Sequence, residues 1–164
     1  EIAEQLGWRF PDVVVYETGG GTGLIGMWKA FVEIKSMGWV NDPLPRMVAA
    51  QSTGCAPVVK AFQERQRDTD FWENSDTVAL GLNVPGPLGG AWILDILRES
   101  KGIAIMIDEQ RLKALTEEFN NLTSINSSDE GGVVWGAYSH LKKVGWIKPK
   151  ERSVIFATGI ERIK

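Results

Sequence analysis

The residues best suited to chemistry are Gly19, Gly20, Gly21, Thr22 and Gly23, four glycines and a threonine in five positions. They stand between an apolar, β-branched run, Val13-Val14-Val15-Tyr16, and the start of an amphipathic segment. Glycine tolerates positive φ, and without a Cβ in the way neighbouring backbone N–H groups can converge on one point. A helix beginning there adds the partial positive charge of its N-terminal end. The combination is a cradle for a phosphate. Its spacing disfavours a nucleoside-triphosphate hydrolase, because Gly26 is followed by Met27 and Trp28 where that motif has a lysine and a hydroxyl residue. Gly21-x-Gly23-x-x-Gly26 matches the dinucleotide fingerprint. However, the next strand ends Ala49-Ala50-Gln51, without the acidic residue that would accept ribose hydroxyls.

The elements that must position this loop follow from periodicity. Val13 to Tyr16 is uninterrupted and β-branched, as expected of a central strand buried on both faces. Leu24, Met27, Trp28, Phe31 and Ile34 recur every three or four residues, with Lys29, Glu33 and Lys35 opposite and Gly38 at the C-terminal cap, which predicts a helix. The alternation continues with a strand over 47–50 and a helix opened by Pro57 and carrying Val58, Val59, Ala61 and Phe62. After Pro85-Gly86-Pro87 comes a helix bearing Trp92, Ile93, Ile96 and Leu97, then a buried strand over 103–107. Asp108 is placed to cap a helix through Leu112, Leu115 and Phe119. A polar loop over 120–129, a helix over about 132–144 and a last strand over 154–157 complete the chain, and 68–76 reads as a long surface loop. Strands alternating with helices predict an α/β fold, a mainly parallel sheet with helices on both faces.

Composition sets the bounds. The 164 residues suit one α/β domain, 43% hydrophobic and 24% charged, enough for a packed core. A net charge of -3 with no basic run argues against a nucleic-acid partner. No apolar stretch approaches the ~20 residues of a membrane span. One cysteine, Cys55, excludes an intramolecular disulfide, and one histidine, His140, leaves no zinc-ligand spacing, so a cytoplasmic protein without a metal is expected. The chain opens on Glu1, which suggests a piece of something longer.

Taken in order, Thr18-Gly19-Gly20-Gly21-Thr22-Gly23-Leu24-Ile25-Gly26-Met27-Trp28-Lys29-Ala30-Phe31, Gly54-Cys55-Ala56-Pro57-Val58-Val59-Lys60-Ala61-Phe62, Gly81-Leu82-Asn83-Val84-Pro85, Glu130-Gly131 and Phe156-Ala157-Thr158-Gly159 resemble the threonine synthases of the fold-type II pyridoxal-phosphate enzymes. The resemblance runs over nearly the whole chain but covers only the later half of such an enzyme. It implies pyridoxal 5'-phosphate as cofactor, with its phosphate in the loop Gly19 to Gly23, Thr158 at the pyridine nitrogen, and Glu130 near the ring. It also implies conversion of O-phospho-L-homoserine and water to threonine and phosphate. A hydroxyl at the pyridine nitrogen, unlike a carboxylate, does not force its protonation. The family's Schiff-base lysine lies in a Ser-Phe-Lys-like stretch before the glycine loop, and no such stretch occurs here. That lysine is therefore expected upstream of Glu1, and this chain alone is expected to be inactive. The sequence departs from the pattern at Asn83, where Arg is common, at Gly90, where Asp is common, and at Ile160-Glu161-Arg162, where a second glycine usually follows. Substrate choice stays open between threonine synthase and a sister lyase such as threonine dehydratase. A non-catalytic phosphate- or nucleotide-binding domain is the alternative from another class, and a homodimer is compatible with either.

The remaining reactive side chains have plainer readings. Lys29, Lys35, Lys60, Lys142 and Lys143 are expected to be solvated surface amines. Trp28 and Trp92 fall on apolar helix faces and read as core, while Trp39 and Trp146 follow glycines after helices, where aromatics pack back on the last turn. His140 reads as structural or surface, Cys55 as a packing residue, and Asp108-Glu109 as helix capping and first-turn charge.

Overall fold

A computed structural model describes residues 1–160. Four strands form one parallel sheet in the order β3-β2-β1-β4: β1 (Val13–Glu17), β2 (Arg46–Ser52), β3 (Ile103–Ile107) and β4 (Ser153–Ile155). Parallel neighbours require crossovers, and helices supply them. A short α1 (Ile2–Gln5) precedes β1 and α2 (Thr22–Ser36) joins β1 to β2. The helices α3 (Pro57–Gln63) and α4 (Gly90–Glu99) lie between β2 and β3, while α5 (Leu112–Thr123) and α6 (Asp129–Lys143) lead to β4.

Side-chain alternation along the strands divides the core between two faces. Val14, Met47, Ala49 and Ala104 meet Leu24, Trp28 and Phe31 of α2, Val58 and Val59 of α3, and Ile93 and Leu97 of α4. Val13, Val15, Val48 and Ala50 meet Leu112 and Leu115 of α5 and Val133, Val134, Ala137 and Leu141 of α6. Leu24, Ile93, Leu97 and Leu112 are fully buried, each contributing about 1.5–3 kcal/mol of burial free energy.

The chain therefore steps outward from β1 through β2 to β3, then returns across the sheet to lay β4 on the other side of β1. The crevice past the carboxyl ends of β1 and β4 is where the winding reverses, the place where open α/β sheets put their ligands.

Several local expectations shift. Ile103, Ile105 and Met106 are half-buried, because β3 is an edge strand and not a central one. The loop expected over 120–129 is shorter, since α5 runs to Thr123 and α6 begins at Asp129. Asp108 caps the 3-10 turn Glu109–Arg111 that feeds α5, accepting from the Gln110 N–H. Trp28 is core as expected, but Trp92 is 68% exposed. At about 100° per residue, Trp92 falls about 120° from the centre of the stripe formed by Ile93, Leu94, Ile96 and Leu97, outside the face that meets the sheet. Trp39 is exposed and stacks edge-on with Trp8, whereas Trp146 is half-buried beneath the Arg46 guanidinium.

Candidate functional site

The loop after β1 is built to leave donors free. Gly21 sits at φ 83°, in the left-handed region, as the N-cap of α2, and no side chain caps that helix. Ile25 donates to the Gly21 carbonyl, but the N–H groups from Gly20 to Leu24 find no acceptor among the described residues. Fifteen residues of helix dipole point at them. The backbone is also closely enclosed. A Cβ at Gly19 would come within 2.6 Å of the Gly81 carbonyl, and one at Gly23 would overlap the Tyr16 hydroxyl. At Gly20 a Cβ would meet nothing within 4 Å, so open space begins there.

That space is a cleft of about 350 Å³, within the ~300–1,000 Å³ of small-ligand pockets. All seven residues singled out in the sequence, Gly19, Gly20, Gly21, Thr22, Gly23, Glu130 and Thr158, line it, joined by Tyr16, Glu17, Gly81, Leu82 and Gly159. Glu130, in the first turn of α6, accepts from the Gly81 N–H at 2.7 Å and from the Ser128 hydroxyl. It thereby fastens α6 to the turn around Gly81. Thr158 follows β4, exposed on the cleft, with its N–H donating to Glu17 Oε1 at 2.6 Å. Of the departures from the family pattern, Asn83 and Ile160 are exposed and Gly90 is buried against Asp68 and Thr69, while Glu161 and Arg162 lie outside the described residues.

Three residues the sequence did not flag shape the site. Glu17 closes β1 and is 3% exposed, and burial pushes its carboxyl above the ordinary range, opposed by the Thr158 contacts and helped by the Glu130 charge. Tyr16 stands beside it with its phenol likewise raised, by burial and then by the Glu17 charge. Gln51, fully buried, donates to the Thr18 carbonyl and accepts from the Val58 and Val59 N–H groups, so it caps α3 and tethers the strand end that leads into the glycine loop. The visible signal for Glu17 is an acidic residue ending an apolar strand directly before glycines.

The other reactive groups stand elsewhere. Lys29, Lys35, Lys60, Lys142 and Lys143 are exposed, as is His140, and none lines the cleft. Cys55 is buried, which raises its thiol and makes it a packing residue. Glu109 does more than charge a first turn: it accepts from the Ser52 hydroxyl and from the Val78 N–H, tying the ends of β2 and β3 to the segment before Gly81. Among the described residues no group of three His, Cys, Asp or Glu could hold a metal, and no helix is long and apolar enough to cross a membrane.

A sheet with a reversal crevice, a helix N-terminus offering free N–H groups and a glycine-walled cleft define a phosphate-cofactor site of the fold-type II kind. Residues 1–159 match the family model described as pyridoxal-phosphate dependent enzyme, and the chain belongs to that family. Its cofactor is pyridoxal 5'-phosphate. The chain is 28% identical to a threonine synthase of Methanocaldococcus jannaschii, over 97% of its own length and 39% of the relative's. It is 25% identical to a cysteate synthase of Methanoregula boonei, over 100% of its length and 41% of the relative's. Its fold matches the processed form of threonine deaminase isoform 2 from Solanum lycopersicum with a TM-score of 0.74 at 19% identity, covering 98% of this chain and 43% of that one. The chain thus spans about two fifths of the length of the curated relatives it matches.

The cofactor fits the residues present. The unanswered N–H groups from Gly20 to Leu24 suit a phosphate dianion, the open space at Gly20 admits it, and one buried carboxylate oxygen, Glu17 Oε2, lacks a partner among the described residues.

Proposed function

We propose that these residues form one α/β domain, the phosphate-binding part of a cytoplasmic threonine synthase that takes O-phospho-L-homoserine. The observation that carries the reading is the meeting of the glycine loop, Glu130 and Thr158 around a single cleft at the winding reversal. The relatives named threonine synthase support the choice of reaction. When bound, the coenzyme supplies an electron sink for the substrate's α-carbon.

The chain's own contribution is placement. The N–H groups from Gly20 to Leu24 hold the phosphate with charge-assisted bonds, and the α2 dipole adds to them. Thr158 presents a hydroxyl to the ring nitrogen and leaves its protonation unforced. Glu130 keeps the Gly81 turn in place as one wall. No lysine lines the cleft among the described residues, so on this reading residues 1–164 by themselves do not turn over.

The test is the natural gene product incubated with O-phospho-L-homoserine. Threonine and inorganic phosphate in equal amounts support the reading. Inertness toward that substrate, with ammonia and a keto acid released from L-threonine, overturns it in favour of a dehydratase.

A further inference from the structure

Glu17, in the lining of the cleft, has one carboxyl oxygen that the described residues leave unanswered. Glu17 Oε1 accepts from the Thr158 N–H, but Oε2 is buried without a partner among the described residues. An unsatisfied buried oxygen is costly, and such atoms are rare unless something else completes them. Among the described residues the groups facing Glu17 are Tyr16 on its own strand, Glu130 on α6 and Thr158 after β4, and none of the residues lining the cleft is a lysine or arginine. Burial first, and the Glu130 charge after it, hold the Glu17 carboxyl above its ordinary range, toward the protonated form, against the Thr158 hydrogen bonds. A neutral carboxyl carries an O–H donor beside an acceptor oxygen.

We propose that Glu17 is a cofactor-contacting residue of this cleft: its Oε2 hydroxyl donates to the unprotonated ring nitrogen of the bound pyridine, while Oε1 positions Thr158 at the same end. The inference rests on the coenzyme reading above and deepens it. A hydroxyl alone leaves the ring nitrogen's protonation unforced, whereas a carboxylic acid beside it brings a proton within the site. In this chain the ring end of the cleft is therefore a Thr158–Glu17 pair.

The experiment titrates the coenzyme-free natural gene product with pyridoxine 5'-phosphate and with its benzene analogue, in which the ring nitrogen is a CH. Neither carries an aldehyde, so no lysine reacts. The wild type and Glu17→Gln, whose amide still donates, are expected to prefer the pyridine by about tenfold, the scale of one otherwise unmet buried hydrogen bond. In Glu17→Leu that preference should fall several-fold, the Thr158 hydroxyl supplying what remains. A folded Glu17→Leu that keeps the tenfold preference overturns the proposal. Should Glu17→Leu fail to fold, infrared difference spectra of wild type against Glu17→Gln decide. A carboxylic-acid C=O band that is absent in Glu17→Gln and shifts on adding the pyridine supports the role, and no such band overturns it. Gly20→Val separates the two readings. If it loses both ligands while Glu17→Leu keeps the preference, only the Glu17 role fails. If Gly20→Val binds like the wild type, or the wild type binds neither ligand, the cleft assignment fails and the Glu17 role with it.

Discussion

Gln51 Nε2 donates to the Thr18 carbonyl at 3.0 Å, while its Oε1 accepts from Val58 and Val59. One fully buried amide thus ties the residue before the glycine loop to the first turn of α3. The loop's conformation is fixed from beneath by β2 as well as by its own glycines.

Replacing that amide tests the tether. Gln51→Leu should cost about 3 kcal/mol, because it strands a buried carbonyl and two helix N–H groups that no water can reach. Chemical denaturation of the two chains measures this, and a loss under 0.5 kcal/mol would show the tether to be dispensable.

The close approach of Gly23 to Tyr16 gives a second outcome. Gly23→Ala places a methyl against the Tyr16 hydroxyl and should destabilise by about 1–3 kcal/mol, the usual penalty for overpacking. Tyr16→Phe removes the obstructing oxygen, so the double variant should recover part of the loss, a coupling that a double-mutant cycle reads directly.

The loop, its strand and its helix were legible because their signals are local: a β-branched run, five small residues and a 3–4 spacing. Cys55 and the surface lysines likewise lie where the sequence pointed. Glu130 and Thr158 had no local signal. They reach the cleft only because the chain returns β4 to β1, a tertiary fact, and only the family resemblance pointed to them. Glu17 and Gln51 were missed because a single polar residue at a strand's end reads as the strand's edge, although both are buried. Trp92 misled because one aromatic adjoining an apolar stripe resembles part of it, and an angle of about 120° separates the two.

Glu17 makes stability depend on pH. Its carboxyl titrates above the ordinary value of 4.5 in the folded chain, chiefly through burial. The native state therefore holds more protons than the unfolded state just above that value, and stability falls as pH rises through the folded pKa. Glu17→Gln removes the titrating group, so it should flatten this fall and be the more stable chain at neutral pH. Thermal melts from pH 4 to 8 check it, and parallel pH curves for the two chains would contradict it.

Thr158 is exposed, and its backbone N–H donates to Glu17 Oε1. Thr158→Val should change stability by no more than about 0.5 kcal/mol while shifting the absorption of coenzyme bound to the natural gene product. An identical spectrum would remove the hydroxyl from the ring nitrogen.

The central claim is that the glycine loop holds the coenzyme's phosphate, and Gly20 tests it with least ambiguity. Gly21→Leu would confound the result, since Gly21 has φ 83° and a side chain there would strike Ile93. At Gly20 the backbone lies outside the left-handed region and the added atoms meet open space. The measurement is calorimetric titration of pyridoxine 5'-phosphate into the natural gene product and its Gly20→Val variant. Losing two charge-assisted bonds should weaken binding by about 100-fold or more, with the melting temperature unchanged. Equal affinity in the two proteins would contradict the account.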